Sequence, residues 1–355
     1  MLERRGANVS RRIFRDRRNV RLARHHLSNN VRILVSRTDR IGDVVLTLPL
    51  CALLRSQLGA DVVALGRAYT QPLLEASPHV DEVLDWDTVS DADPAAQRDF
   101  LRAARADAIL HVFPRPDIAR AALAARIPLR IGTSHRWFHW LTCNALEHFS
   151  RKRSALHEAQ LNVRLAQRLL GSAIPPLAKL APLTAIAPRV PLPQSVATTL
   201  RDDRFRLVLH PGSSGSAREW PLAQWKALAG SLDPARVQLL VTGSAAEGAV
   251  LRDWIAGLSA EVVDLTGQLD LAELIALLAR VDGLIAASTG PLHVAAAVGI
   301  HALGLFAATP PIHPGRWAPL GPRAEVLVAP GADVAAIATA QVRERVEAWV
   351  RSGGD

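Results

Sequence analysis

Short β-branched apolar runs and helix-period stretches take turns along almost the whole of this chain, and that alternation leaves few architectures open. Val31–Ser36 reads as a first buried strand, followed by the turn Arg37–Asp43. The apolar positions Val44, Val45, Leu48, Cys51, Leu54 and Leu58 then recur at helical spacing, which puts Asp43 at a helix start. Strands are expected at 61–66, 83–86, 108–112 and 129–132, with helices around 94–105, 117–125 and 155–170. Residues 173–193 hold six prolines and no sustained period, and read as a linker. Beyond it the pattern restarts, with strands at 207–210, 237–242, 262–265, 283–287, 302–306 and 325–328 and helices at 222–232, 247–258, 271–280 and 334–350. Such alternation means parallel sheets covered on both faces. The expected fold is α/β, with two Rossmann-like doubly wound lobes, 31–172 and 194–355, facing across a cleft; 355 residues are enough for both.

The net charge of +9 is concentrated at one end. Residues 1–30 carry nine arginines against Glu3 and Asp16, which leaves the body at only +2. With Ile13, Phe14, Val20 and Leu22 interleaved, this basic arm suits an anionic membrane surface, a solvated tail being the plain alternative. Nucleic acid is not expected, because the body has no basic stripe and no recognition motif. No run of eighteen uninterrupted apolar residues and no apolar leader segment is found, so neither a membrane span nor a secretory signal is expected. Cys51 and Cys143 are far apart and form no C-x-x-C, which implies buried, reduced thiols.

The stretch Leu284–Gly299, L-I-A-A-S-T-G-P-L-H-V-A-A-A-V-G, turns from an apolar run into an alanine-rich helix with Pro291 expected at its first position. Ser288, Thr289 and Gly290 place hydroxyls and N–H groups at the positive end of that helix, a setting that suits phosphate. An ordinary turn, with Thr289 as a cap and His293 solvated, fits equally well. A second donor-rich turn, P-G-S-S-G-S-A-R-E-W-P at 211–221, supplies Ser213, Ser214 and Arg218. In a parallel sheet both turns lie at the carboxyl edge, where ligands of open α/β folds bind. Neither G-x-G-x-x-G after the first strand nor a P-loop G-K-[ST] is found, and His157–Glu158 begins an H-E-x-x-H pattern that fails at Leu161. Dehydrogenase, NTPase and zinc chemistry are therefore not expected. Asp43 is a candidate general base, with a helix-cap role as its rival. The aromatic run R-W-F-H-W-L at 136–141 reads as core packing in preference to a substrate-lining surface.

Taken together, these pieces resemble the lipopolysaccharide heptosyltransferases of glycosyltransferase family 9. The matching segments are R-I-L-V-S-R-T-D-R-I-G-D-V-V-L-T-L-P (32–49), H-E-A-Q-L-N (157–162), H-P-G-S-S-G-S-A-R-E-W-P (210–221), L-T-G-Q-L-D-L-A-E-L (265–274), S-T-G-P-L-H-V-A-A-A (288–297) and R-W-A-P-L-G (316–321). The resemblance implies a GT-B fold, with the first lobe binding the acceptor and the second the nucleotide sugar. It implies inverting, metal-independent transfer of L-glycero-D-manno-heptose from an ADP-linked donor to the inner core of lipopolysaccharide, with no resident cofactor, by an enzyme peripheral on the cytoplasmic face of the inner membrane. By motif, Asp43 matches the catalytic base and Gly42 its neighbour. Ser213, Ser214, Arg218, Ser288, Thr289, Gly290 and His293 match the donor-diphosphate site, and Glu247 a ribose-binding acid. Ser288 stands where many members carry Asp, and Arg218 where the commonest residue is Lys. The competing functions are a nucleotide-sugar epimerase of the same architecture and a non-catalytic lipopolysaccharide- or membrane-binding scaffold.

Overall fold

The structure, a computed structural model, describes residues 31–352 apart from 214, 216, 259, 260, 311 and 312. The basic arm and Ser214 therefore lie outside the described residues. The chain divides into two units, Met1–Leu183 and Thr184–Asp355.

The first unit is built on six parallel strands, β1 (Arg32–Ser36), β2 (Asp61–Gly66), β3 (Glu82–Asp85), β4 (Ala108–His111), β5 (Leu129–Thr133) and β6 (Ala145–Glu147). Their order across the sheet is β3-β2-β1-β4-β5-β6. The second has β7 (Phe205–His210), β8 (Val237–Val241), β9 (Val263–Asp264), β10 (Gly283–Ala287), β11 (His301–Ala307) and β12 (Ala324–Ala329), ordered β12-β11-β10-β7-β8-β9. Each sheet thus runs outward in both directions from its first strand, the doubly wound topology expected from the sequence. The order reverses between β1 and β4 in one unit and between β7 and β10 in the other. At such switch points the crossover helices leave to opposite faces, so the strand ends stay open to a ligand.

Each sheet is sealed by side chains that the apolar pattern had marked. In the first unit Leu34, Val63, Leu65 and Ile109 pack with Trp86, Leu101 and Ile118. In the second, Leu207, Leu209, Ile285 and Leu303 pack with Trp220, Trp225 and Trp349. Trp349 belongs to the C-terminal helix Thr339–Ser352, so this helix completes the core of its own unit. A 3₁₀ turn at Val334–Ala336 precedes that helix, which begins later than the sequence pattern implied.

The helix expected over 44–58 is two helices, Ile41–Val45 and Leu48–Leu58. Pro49 explains the break: it has no N–H to give to the carbonyl of Val45, and its ring crowds that turn. The run Ile41–Leu58 has the length and mean hydropathy (1.4) of a membrane-spanning helix, but Asp43 and Arg55 interrupt its apolar residues and it is divided into two helices. Here Leu48–Leu54 are all buried in the protein interior. The helix expected over 155–170 likewise divides, into Glu158–Leu165 and Gln167–Leu170. From Thr184 the proline-rich stretch lies on the second unit, where the Thr184 hydroxyl donates to the Leu320 carbonyl at 2.9 Å and the Ile186 N–H to that of Ala297 at 3.2 Å. Cys51 is buried, its thiol pushed up to about 12 by desolvation, whereas Cys143 is partly exposed.

Candidate functional site

The turn leaving β1 at the first switch point carries Arg37, whose side chain is buried and whose guanidinium is surrounded by carboxylates. Its Nε donates to Asp39 at 2.7 Å, one Nη engages Asp43, and the other reaches Glu158 at 3.3 Å and the Asn162 carbonyl oxygen at 3.4 Å. Arg151 also contacts Glu158, donates to Asn162 at 3.0 Å and to the Val112 carbonyl at 3.3 Å. The Asn162 amide closes the set by donating to the Leu46 carbonyl at 2.9 Å and the Thr47 hydroxyl at 3.2 Å. Glu158 and Asn162 are four residues apart and so share one face of their helix. A ring nitrogen of His157 caps that helix by accepting the Ala159 N–H at 3.3 Å.

Asp43 is not a helix cap. It is the third residue of Ile41–Val45, whose N-cap is Arg40, and its side chain is committed to Arg37. Gly42 lies beside it in the same turn, its carbonyl accepting the Leu46 N–H at 3.0 Å. Three carboxylates thus share two guanidiniums in a partly desolvated setting. Burial raises the Asp43 carboxyl above its ordinary value against the pull of Arg37, and the charge of Glu158 adds to the rise. Burial likewise takes Asp39 up to about 6. Burial opposes the charge on Arg37, but Asp39, Asp43 and Glu158 together hold its guanidinium above the ordinary value.

These shifts set opposite pH trends for stability and for base chemistry. Asp39 titrates at about 6 in the fold against an ordinary value of 3.8, so the folded protein holds the extra proton in that window. Its contribution to stability therefore declines as pH rises from 3.8 to about 6. Asp43 must be ionised to act as a base, and burial together with the charge of Glu158 raises its carboxyl, so kcat/KM for transfer is expected to fall with acid at a pH above the ordinary carboxylate range. A flat pH–rate profile there would contradict the assignment.

In the second unit the corresponding turns leave β7 and β10. Ser213 is buried, and both its N–H and its hydroxyl donate to Glu219, at 2.8 and 2.7 Å. Those two donors brace the loop internally. Arg218, on the same loop, is exposed; its guanidinium reaches the Ala332 carbonyl and lines a pocket with Ser288, Ala217, Phe306, Thr309 and Val334. The structure therefore brings Arg218 and Ser288 together.

Beside Ser288 the helix Gly290–Val298 starts one residue earlier than expected, with Pro291 second. Thr289 occupies its N-cap position yet makes no cap bond, and its buried hydroxyl has no partner. His293 is buried and not solvated, so the ordinary-turn reading fails for His293, while Thr289 holds the cap position without making the cap bond. Glu247 sits on the neighbouring turn after β8. It accepts the N–H and hydroxyl of Ser244 at 2.8 and 3.0 Å as the N3 member of a capping box, and its carboxylate lies so close to Gly212 that a Cβ there would meet Oε1 at 2.5 Å. Among the described residues no three His, Cys, Asp or Glu side chains are grouped to hold a metal.

The sequence reading missed Arg37, Asp39, Arg151, Glu158, Asn162 and Glu219. It also misplaced the aromatics of R-W-F-H-W-L, because Trp137 and Trp140 are exposed and Phe138 is only half-buried, and of these six residues His139 alone enters the interior.

Residues 100–341 match the family model of glycosyltransferase family 9 (heptosyltransferase). A provisionally named glycosyltransferase of Haemophilus influenzae is 28% identical over 308 residues, covering 81% of this chain and 86% of its own length. Among solved structures, E. coli ADP-heptose lipopolysaccharide heptosyltransferase II superposes with a TM-score of 0.73 at 21% identity, over 92% of this chain and 100% of that one. The E. coli heptosyltransferase WaaC with ADP gives 0.67 at 20% identity, over 90% and 100%. These likenesses establish the GT-B-type fold, and the family match extends over well more than half of the sequence: the chain belongs to glycosyltransferase family 9, the heptosyltransferases, and is a glycosyltransferase.

Proposed function

We propose that the enzyme transfers a heptose, from ADP-L-glycero-D-manno-heptose, to the inner core of a lipopolysaccharide precursor with inversion at the anomeric carbon and without a metal. Asp43 takes the proton of the acceptor hydroxyl as that oxygen bonds to the anomeric carbon from the face opposite the diphosphate. The bond to the diphosphate oxygen breaks, and its electron pair leaves with ADP. Arg218 supplies a full positive charge to the departing group, and its planar fork can engage two oxygens at once. The Thr289 hydroxyl and the first N–H groups of Gly290–Val298 supply further donors. Hydrogen bonds to a charged group contribute roughly 1.5–3 kcal/mol each, and a helix N-terminus adds about 0.3–1 kcal/mol. Ser288 and His293 complete that turn, and Glu247 is assigned to the ribose.

The observation that carries this reading is the commitment of Asp43 to Arg37 instead of to a helix cap. It leaves a carboxylate at the switch point with no structural duty to its own helix. An adenosine diphosphate donor is supported by the two E. coli relatives, one named for ADP-heptose and the other solved with ADP. Work on the cytoplasmic face of the inner membrane, assisted by residues 1–30, follows from an acceptor of this class.

The donor half is tested by Arg218→Ala. Calorimetry with ADP should show affinity lower by roughly ten- to a hundredfold, with thermal unfolding in the absence of nucleotide unchanged, since Arg218 is exposed. Unchanged affinity would remove Arg218 from the donor site.

A further inference from the structure

The helix Trp137–Thr142, which follows β5, presents the most exposed aromatic rings among the described residues. Trp137 is 74% exposed, Trp140 55% and Leu141 71%. Spaced three and four residues apart, they share one face, while His139 and Thr142 on the other are buried. The neighbouring helix Pro116–Ala124 packs against this one. The Trp140 N–H donates to the Ser134 carbonyl at 2.9 Å, so its polar atom is satisfied while its ring stays open to solvent. Trp137 is held edge-on against Phe138, with ring centroids 6.0 Å apart.

Basic residues flank this helix: His135 and Arg136 at its N-terminal end and His148, whose ring lies 6.1 Å from that of Trp140, are exposed, and the stretch that continues from His148 carries the exposed Lys152 and Arg153. Glu147, the one carboxylate between Ser134 and Arg153, is buried and paired with Arg168 at 2.9 Å. Burying such a face against a second copy of itself would bring like charges together. Indole rings and leucine flanked by arginine and lysine instead match a surface that is apolar beneath and anionic on top.

We propose that this face docks the enzyme on an anionic phospholipid bilayer, with Trp137, Trp140 and Leu141 entering the boundary between headgroups and acyl chains and Arg136, Lys152 and Arg153 meeting lipid phosphates. It is separate from the arm at 1–30 and does not depend on the sugar-transfer reading. Held by packing and a backbone hydrogen bond, the rings need little reordering on docking.

The test is co-sedimentation of the full chain with phosphatidylcholine vesicles, with and without phosphatidylglycerol. Wild type, Trp137→Ser/Trp140→Ser and Arg136→Ser/Lys152→Ser/Arg153→Ser all keep the arm, so differences among them report this face alone. The tryptophan variant should partition onto mixed vesicles about tenfold less or weaker. The cation variant should lose most of its preference for phosphatidylglycerol over pure phosphatidylcholine, and both should melt like wild type. Lipid brominated in the acyl chain should quench wild-type tryptophan fluorescence, a reading that needs no substitution. Partition of the tryptophan variant equal to wild type, or no quenching in wild type, would overturn the proposal. So would a tryptophan variant that changes only the oligomeric mass in sedimentation, because the face would then join two copies of the chain.

Discussion

Asp43→Ala is expected to abolish sugar transfer while ADP binding stays within about twofold of wild type. A positioned general base contributes on the order of 10²–10⁴ in rate, so kcat should fall by at least the lower figure. Donor affinity should hold, because the residues assigned to the diphosphate belong to the other unit. The fold should also hold, since Arg37 keeps Asp39 and Glu158 as partners. Single-turnover transfer and ADP calorimetry on the same preparation separate these effects. Near-wild-type turnover would take Asp43 out of the mechanism, and a parallel loss of ADP affinity would make its role structural.

Arg37→Leu should destabilise the first unit as strongly as truncating one of its buried core side chains. Removing the cation strands Asp39 and Asp43 in a desolvated pocket and leaves Glu158 to Arg151. Breaking a buried ion network by deleting one partner costs about 3–5 kcal/mol. Arg37→Lys should recover part of this, because an ammonium keeps the charge but cannot span Asp39, Asp43 and Glu158 as the guanidinium fork does. Urea unfolding followed by near-ultraviolet circular dichroism reads both variants. A loss below about 1 kcal/mol for Arg37→Leu, the range of an exposed ion pair, would show that the network is solvated and cannot tune Asp43.

Much of the architecture was legible because buried parallel strands are short continuous apolar runs, and Gly283–Ala287 matches its expected bounds residue for residue. β6 escaped notice because three residues at a sheet edge have no period to read. The division of the helix after β1 was written in Pro49 but outweighed by the apolar repeat on either side of it. The candidate site was legible only where one turn holds all its members, as in Ser288–Thr289–Gly290. Asp39 and Asp43 are near Arg37 in the chain, but its other two partners, Glu158 and Asn162, lie 121 and 125 residues further along, a pairing that no local pattern encodes. Its faint signal was the four-residue spacing of Glu158 and Asn162, in a segment considered for zinc and dismissed. Glu219 was closer to hand, six residues beyond the serine it braces. For Trp137 and Trp140 a six-residue aromatic run does not show which side of the helix meets the core, and core packing, the reading preferred, is not what the fold adopts.

The most direct measurement is proton NMR of the product formed from ADP-L-glycero-D-manno-heptose and a heptose-free lipopolysaccharide core acceptor, with chelator present throughout. One new glycosidic bond per ADP released is expected, with the anomeric configuration opposite to that of the donor. A retained configuration, a reaction that stops when metal is chelated, or a donor sugar altered without any acceptor would contradict the proposed transfer.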